Sequence, residues 1–205
     1  MPSMPYPYRL NDDDDDDKKP EPQGVGSIIG KRLFETRTIT IFGEIDMRLA
    51  ERVSAQLLAL AADSDDDIRV VINSPGGHVE AGDTIHDMFR FVKPRVKVLG
   101  TGWVASAGAL LYVGAERGDR YALPNTRFML HQPMGGARGQ AVEIEIEALE
   151  IIKMRERINQ LFARETGQPV EKITKDTDRN FWMSATEAKD YGLVTHVITR
   201  FSDFA

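Results

Sequence analysis

The sequence contains no cysteine among its 205 residues. That absence excludes a disulfide framework, a zinc site built on thiolates and a cysteine nucleophile. Hydrophobic residues make up 41% of the chain and charged residues 28%, which is ordinary for a soluble globular protein. The length suits one domain with a sizeable buried core.

Long apolar segments are also missing. The longest apolar run, residues 104–115, is too short to span a bilayer. The N-terminus lacks the basic and apolar regions of a secretory signal, and its acidity is unlike a transit peptide. No basic stripe of the kind that binds nucleic acid is visible. We therefore predict a cytoplasmic protein that binds neither a membrane nor nucleic acid.

The negative charge is concentrated near the N-terminus. Positions 12–17, from Asp12 to Asp17, are six consecutive aspartates, followed by two lysines and a proline-rich stretch. A run of like charges repels itself and cannot bury apolar surface. We predict a flexible acidic arm over residues 1–26, one folded domain over 27–200 and a short tail over 201–205.

The folded part alternates between strand and helix patterns. "RTITIFGEI" and "IRVVINSPGG" read as strands, and residues 47–62 between them read as an amphipathic helix. A second helix is predicted over 81–92, a third strand over "RVKVLGTG", and two short strands over "RYALPNTRFMLHQP" with a turn at Pro124–Asn125. This alternation predicts an α/β fold with largely buried strands.

A helix of unusual length follows, from about Gln140 to Glu165, without proline or glycine. It carries two apolar stripes, whereas a surface helix needs only one. The stripes are Val142, Ile146, Leu149 and Ile152, and Ile144, Ile151, Met154, Ile158 and Leu161. Either the helix crosses one domain, or its outer half meets another chain.

Ser106 is the only hydroxyl residue in "GWVASAGALL", where nearly all its neighbours are small or apolar. It is either a small core residue or a nucleophile that must stay accessible. Its place at a strand-to-helix junction would point helix N–H groups and positive dipole toward it. Gly76 and Gly77 end the preceding strand and let backbone approach a substrate. Ser74 is a competing nucleophile, but it precedes a proline and has no helix behind it.

Acyl transfer by serine also needs an imidazole base, a group that orients the base and paired N–H donors. The chain has four histidines, His78, His86, His131 and His196. His131 closes a strand, at the edge where open α/β sheets build their sites. From the residues alone, this favours His131 without deciding the matter.

Several long motifs in one order resemble the proteolytic subunit of the Clp protease, the ClpP family. They are "INSPGG", "GWVASAGALL", "LPNTRFMLHQPMGG", "GQAVEIEIEALEIIKMRERINQLFARETGQ" and "SATEAKDYGLV", and the match covers about 27–200. The resemblance implies a ClpP/crotonase-like fold of repeated ββα units with a long handle helix. It implies a serine endopeptidase subunit that degrades unfolded polypeptides inside a double ring of two stacked heptamers. It also implies a partner AAA+ unfoldase that uses ATP, with no metal or cofactor on this chain.

The resemblance assigns site residues by position. Ser106 becomes the nucleophile and His131 the base, while Gly77 and Ala107 supply the N–H groups for the oxyanion. A substrate peptide would lie as an added strand in a cleft formed by two loops. The cleft residues are Gly76, His78, Val79, Pro133, Met134, Gly135 and Gly136. The ring-to-ring contact would involve Gln140, Glu143, Asp178 and Arg179, with Arg179 bridging to Glu143 of the opposing ring.

The sequence departs from the family pattern in three places. The third triad position, an aspartate in the family, is Asn180 here, with Asp176 and Asp178 as nearby alternatives. The usually aromatic pocket that docks the unfoldase has Arg69 and Val71 at its matching positions, although Phe91 is retained. The acidic arm replaces most of the family's axial-pore loop.

These departures leave three hypotheses open. The first is an active peptidase, slowed by the loss of the triad carboxylate. The second is a weakly active or regulatory ring subunit that assembles with an active paralogue. The third is an acyl-CoA enzyme of the crotonase type, which the Ser106 and His131 motifs weigh against.

Overall fold

A mainly parallel sheet with helices packed on it forms the fold in the computed structural model, which describes residues 25–136 and 138–204. The strands are β1 Thr38–Phe42, β2 Ile68–Ser74, β3 Val96–Ala105, β4 Arg120–Ala122, β5 Arg127–Leu130, β6 Phe181–Ser184 and β7 His196–Val197. The helices are α1 Val25–Glu35, α2 Met47–Asp63, α3 Val79–Phe91, α4 Ala107–Tyr112, α5 Ala141–Thr166, α6 Val170–Asp176 and α7 Ala185–Tyr191. Two 3-10 turns cover Arg117–Asp119 and Phe201–Asp203. The predicted α/β class is confirmed.

The main sheet has the parallel order β1-β2-β3-β4-β7. Its longest strand, β3, forks: Val98 to Gly100 pair with β4, whereas Trp103 to Ala105 pair with β5. The short strand β6 then adds to β5 in antiparallel orientation. The fork places the ends of β3, β5 and β6 side by side.

The predicted apolar face of α2 is the buried one. Leu49, Val53, Leu57 and Leu60 recur at helical spacing, and each is at most 5% exposed. Asp46 caps this helix by accepting a hydrogen bond from the Leu49 N–H at 2.7 Å. In β2, alternate residues from Ile68 to Ser74 are fully buried, so one face of the strand lies in the core.

The long helix α5 is buried along only part of its length. Its first ten residues, 141–150, are all exposed, whereas Ile158, Leu161 and Phe162 near its end lie in the core. The stripe from Val142 to Ile152 therefore stays largely uncovered by the described part of the chain, since each of its four side chains is at least 51% exposed. Of the two explanations offered for this helix, a contact with another chain is therefore the one that would cover its exposed stripe.

Helical residues are described beyond both predicted domain boundaries, at residues 27 and 200, and the boundaries themselves stay a prediction. Helix α1 already begins at Val25, two residues before the predicted start at Ser27. The predicted tail packs back on the sheet, because Phe204 is 2% exposed and meets the Tyr121 ring edge-on at 5.3 Å. The rest of the acidic arm, including Asp12 to Asp17, lies outside the described residues.

Candidate active site

Ser106 occupies the turn between β3 and α4 in a strained backbone conformation. Its φ is +55° and its ψ is −123°, one of two positive φ values among the described residues other than glycine. Such geometry costs on the order of 1–3 kcal/mol and persists where the surroundings enforce it. The sharp turn directs the hydroxyl away from the strand, as in other nucleophiles carried on strand-to-helix turns.

His131 follows β5 and lies next to the serine. Its Nε2 atom is 2.7 Å from the Ser106 Oγ, within ordinary hydrogen-bond distance. The two strands are locked together at this point, because the Ser106 N–H donates to the Met129 carbonyl at 2.9 Å. This pair has the geometry of a nucleophile and its general base.

Burial sets the protonation of His131. Desolvation lowers the pKa of the imidazole, and a hydrogen-bonding contact with the Asn180 side chain raises it by a smaller amount. The imidazole is therefore neutral at pH 7 and able to accept a proton. The described residues contain no His131–Asn180 hydrogen bond that meets the usual distance and angle criteria. The contact of His131 with Asn180 is therefore weaker than its hydrogen bond to Ser106.

The two alternative carboxylates are engaged elsewhere. Asp176 accepts hydrogen bonds from the Tyr191 hydroxyl at 2.7 Å and from Lys172, and these contacts hold its pKa low despite its partial burial. Asp178 faces Arg155 at 3.5 Å. Of the three, only Asn180 contributes to the protonation of His131.

Two backbone N–H groups are available for an oxyanion. Ile45 donates to the Gly76 carbonyl and accepts from the His78 N–H, at 2.9 and 2.8 Å, and this ladder fixes Gly77 between them. A Cβ atom at Gly77 would collide with the Ile45 carbonyl, and its φ of +152° also suits glycine. The Gly77 and Ala107 N–H groups have no backbone acceptor in the part of the chain described. Ala107 begins α4, where N–H groups lack a partner within the helix.

A cleft of about 720 Å³ runs from this turn to the long helix. Its walls include six of the seven predicted cleft residues, His78, Val79, Pro133, Met134, Gly135 and Gly136. The seventh, Gly76, lies beneath Ser106 instead. Across the cleft, Arg157 pairs with Asp83 at 3.0 Å, which sequence reasoning missed because the two residues lie far apart in the chain.

A smaller apolar pocket opens directly at Ser106. Leu110, Leu130, Ile158 and Phe162 line it together with Val79 and Pro133. Ile158 and Phe162 are one helical turn apart on α5, so their shared direction is visible in the sequence. No charged side chain lines this pocket among the described residues.

The other serine and histidine candidates do not fit the chemistry. Ser74 is fully buried, and its hydroxyl accepts from the Gly76 N–H at 3.1 Å, which shapes the turn. His86 is buried in α3 beside Asp87. His196 stacks on Tyr121 with ring centroids 4.8 Å apart. His78 pairs with Glu80 at the rim of the cleft.

Comparisons with known proteins decide the family. The Clp protease family model matches residues 23–201. The chain belongs to the Clp protease family. The chain is 63% identical over 171 residues to ATP-dependent Clp protease proteolytic subunit 3 of Rhizobium etli, covering 83% of this chain and 88% of that protein. It is 51% identical over 174 residues to subunit 2 of Pseudomonas aeruginosa, covering 83% and 87%.

Solved structures of the family match as well. ClpP1 from Listeria monocytogenes is 57% identical with a TM-score of 0.78, covering 86% of this chain and 99% of that one. An asparagine-to-aspartate mutant of the same protein is 58% identical to this chain, with a TM-score of 0.81 and the same coverage of both chains. The ClpP/crotonase-like fold is confirmed, and so is the expectation of a Clp-type proteolytic subunit of the serine peptidase class. This favours the peptidase hypotheses over the acyl-CoA hypothesis.

The predicted ring-contact residues of this Clp family chain lie at the start of α5 and before β6. Gln140 and Glu143 cap α5 reciprocally, with the Gln140 N–H donating to the Glu143 carboxylate at 3.0 Å. The Arg179 side chain is 84% exposed and lies 3.4 Å from Asp178. Their part in a ring contact stays a prediction.

The residues predicted to dock an unfoldase lie on β2 and at the end of α3. The Arg69 guanidinium lies 5.9 Å from the centroid of the Phe201 ring, and the Phe91 side chain is 75% exposed. Val71 is half-buried beside Arg69 on β2. The ring of Phe201, from the C-terminal segment, therefore packs near Arg69, where the family usually has an aromatic residue.

Two further negative findings concern residues 25–136 and 138–204. None of their helices is long and apolar enough to cross a membrane. Nowhere in these ranges do three or more histidine, aspartate or glutamate side chains form a group that could hold a metal ion.

Proposed function

We propose that this chain is a serine endopeptidase subunit that cleaves unfolded polypeptides, with Ser106 as nucleophile, His131 as general base and Asn180 as the third member. The 2.7 Å contact between His131 Nε2 and Ser106 Oγ carries the proposal. The low pKa of His131 supports it, because a neutral imidazole can take the serine proton.

The reaction follows from this arrangement. Ser106 Oγ attacks the scissile carbonyl carbon while its proton moves to His131 Nε2. The resulting oxyanion accepts hydrogen bonds from the Gly77 and Ala107 N–H groups. The imidazolium then gives its proton to the leaving amine, and a water molecule, activated by His131, hydrolyses the acyl-enzyme.

The substrate binds in the cleft as an extended strand between the Gly77 turn and the segment from Pro133 to Gly136. The side chain next to the scissile bond enters the apolar pocket formed by Leu110, Leu130 and Phe162. We therefore expect cleavage beside apolar residues and little cleavage beside acidic ones.

The assembly proposed is a double ring of two heptamers, homomeric or mixed with a paralogue, in the cytoplasm. The exposed apolar stripe from Val142 to Ile152 on α5 supports it, since exposed apolar patches of this kind mark interaction sites. An AAA+ partner feeds unfolded chains and hydrolyses ATP, and this subunit needs no cofactor of its own. Its relatives are ATP-dependent by name.

One observation favours the alternative, a weakly active or regulatory subunit. Asn180 is exposed, brings no negative charge and makes only a weak contact with His131. The loss of an equivalent carboxylate costs about 10⁴ in rate in a serine protease. Such a subunit would depend on an active paralogue in the same complex.

A fluorophosphonate probe and a short fluorogenic peptide separate the two. An active subunit labels at Ser106 and hydrolyses the peptide as a purified homomer. A regulatory subunit does neither alone, and supports hydrolysis only when mixed with its paralogue. A Ser106→Ala preparation that retained wild-type turnover would overturn the catalytic assignment.

A further inference from the structure

The two tryptophans of this chain stack on each other beside the candidate triad. Trp103 lies on β3, three residues before Ser106, and Trp182 lies on β6, two residues after Asn180. Their ring centroids are 6.3 Å apart and their planes differ by 14°. The sequence contains no other tryptophan.

The strand register explains this contact. Strand β5 runs between β3 and β6, with Ala105 opposite Met129 and Met129 opposite Trp182. Trp103 is opposite Arg127, so the two tryptophans lie on the same face, on either side of β5 and offset by two residues, and their large side chains meet over that strand. The Arg127 guanidinium also lies 4.3 Å from the centroid of the Trp182 ring, in a cation–π contact.

The strand that leads away from Asn180 needs such support. Strand β6 has four residues and pairs only with β5 in the described part of the chain. Asn180 directly precedes it and is exposed. The end of a short edge strand frays easily, because few backbone hydrogen bonds hold it. Strand β3, by contrast, has ten residues and pairs with β2, β4 and β5.

We propose that Trp103 and Trp182 are positioning residues, whose stack ties β6 to the central strand β3 and thereby holds Asn180 against His131. The proposal rests on the proposed function, since it assumes that Asn180 acts on His131. The competing explanation is a surface contact that stabilises β6 without affecting the reaction.

Kinetics of Trp103 variants distinguish the two explanations. The Trp103 side chain is 44% exposed, so Trp103→Ala removes the stack without opening the core. We expect kcat for peptide hydrolysis to fall by about three- to tenfold, with KM within about twofold. Trp103→Phe keeps a stacking ring and should retain wild-type kcat. Phe34→Ala removes another ring of similar exposure, 43%, on α1 and serves as the matched control.

A double-mutant cycle shows whether the effect passes through Asn180. In the Asn180→Ala background, Trp103→Ala should cause no further loss of kcat, because the group that it positions is already gone. Independent losses that multiply in the double variant would overturn the proposal. An unchanged kcat in Trp103→Ala would overturn it as well.

Circular dichroism tests the stack without any need for activity. Two stacked indoles give an exciton couplet, and no third tryptophan obscures it. Trp103→Phe and Trp182→Phe should each abolish the couplet while the helical signal persists. A wild-type protein without the couplet would overturn the proposal. A protein with the couplet that neither hydrolyses peptide nor labels with fluorophosphonate would overturn the proposed function instead, and the positioning role with it.

Discussion

A Cβ atom on Gly76 would lie 2.6 Å from the Cβ of Ser106 and 2.8 Å from the carbonyl oxygen of Ala105. The turn after β2 therefore packs bare backbone against the turn that carries the nucleophile. This contact explains why the chain around Ser106 is small on both sides. Larger side chains would separate the two turns that also supply the proposed oxyanion donors.

Gly76→Ala tests this packing. We expect the change to reduce kcat/KM by at least about 100-fold and to destabilise the protein by about 1–3 kcal/mol, since Gly76 also has a φ of +101°. Steady-state kinetics and urea unfolding measure the two effects. Gly30→Ala, where a Cβ atom meets nothing within 4 Å, is the control and should leave both unchanged or slightly improve stability. Wild-type turnover in Gly76→Ala would contradict the proposed geometry.

The strained backbone of Ser106 yields a second prediction. Ser106→Ala and Ser106→Gly should both abolish peptide hydrolysis and leave assembly intact. Only glycine relieves the positive φ, so Ser106→Gly should be more stable than Ser106→Ala by about 0.5–1 kcal/mol, after the entropic cost of glycine. Unfolding of the two variants under one condition compares them. Equal stability would mean that the turn stores no strain at this residue.

Acid stability should depend on His86, which is buried, and on His131, which is half-buried. Burial lowers the pKa of His86 most strongly, its contact with Asp87 opposes this, Arg90 lowers the pKa further and Glu165 raises it. Burial likewise lowers the pKa of His131. As the pH falls below about 6.5, the unfolded chain gains protons that the folded protein does not, so stability decreases until the folded pKa values are reached.

The measurement is urea unfolding between pH 8 and pH 5. His86→Leu should lose less stability over this interval than the wild type, because one of the two groups is removed. Burial raises the pKa of the Glu165 carboxylate, but its arginine neighbours lower it by more. Glu165 therefore titrates below this pH interval and does not contribute to the slope measured there. An unchanged slope in His86→Leu would contradict the prediction.

Local patterns predicted the helices and strands well, because apolar residues recur with the repeat of a helix or a strand wherever one face of that element is buried. The apolar face of α2 and the position of Ser106 at a strand-to-helix turn both followed from neighbouring residues. The choice of His131 among four histidines did not follow from pattern alone. It depends on the pairing of β5 with β3, which brings residues 106 and 131 together.

The tryptophan stack was out of reach of such reasoning. Trp103 and Trp182 meet only because β6 pairs antiparallel with β5 in one register, and the stack runs diagonally across that register. A shift of one residue would turn Trp182 to the other face of the sheet. The engagement of Asp176 by Tyr191 was hidden for the same reason, since it depends on how α6 and α7 pack.

The exposed Arg179 yields a prediction about assembly. Within the described part of one chain its only ion-pair partner is Asp178, and such a surface pair contributes under about 1 kcal/mol. If it bridges to Glu143 of the opposing ring, Arg179→Ala should yield single rings or smaller species with little activity. Sedimentation velocity and peptide hydrolysis measure this, with Lys189→Ala at an exposed position of α7 as the control. A fully active double ring of Arg179→Ala would show that the residue is a surface pair only.

The last prediction concerns Asn180→Asp. The imidazolium of His131 forms near the transition state and not in the resting complex, so a new carboxylate should raise kcat with little change in KM. We expect a gain of about ten- to a hundredfold, because an asparagine site already supports part of the required orientation. Stopped or continuous assays with a fluorogenic peptide measure it, with Asn180→Ala as the matched loss of the contact.

The pH profile of the same variants shows whether each substitution at position 180 raises or lowers the pKa of His131. Burial and the Asn180 contact now oppose each other at His131, and burial prevails. A carboxylate at position 180 adds a charge that favours the protonated imidazole, so the pKa rises and the rising limb of kcat/KM moves to higher pH. Asn180→Ala removes the opposing contact and should move the limb to lower pH. A limb that stays in place in both variants, with kcat unchanged, would show that Asn180 does not act on His131. Asp178→Asn would then be the next variant to measure, since Asp176 is already held by Lys172 and Tyr191.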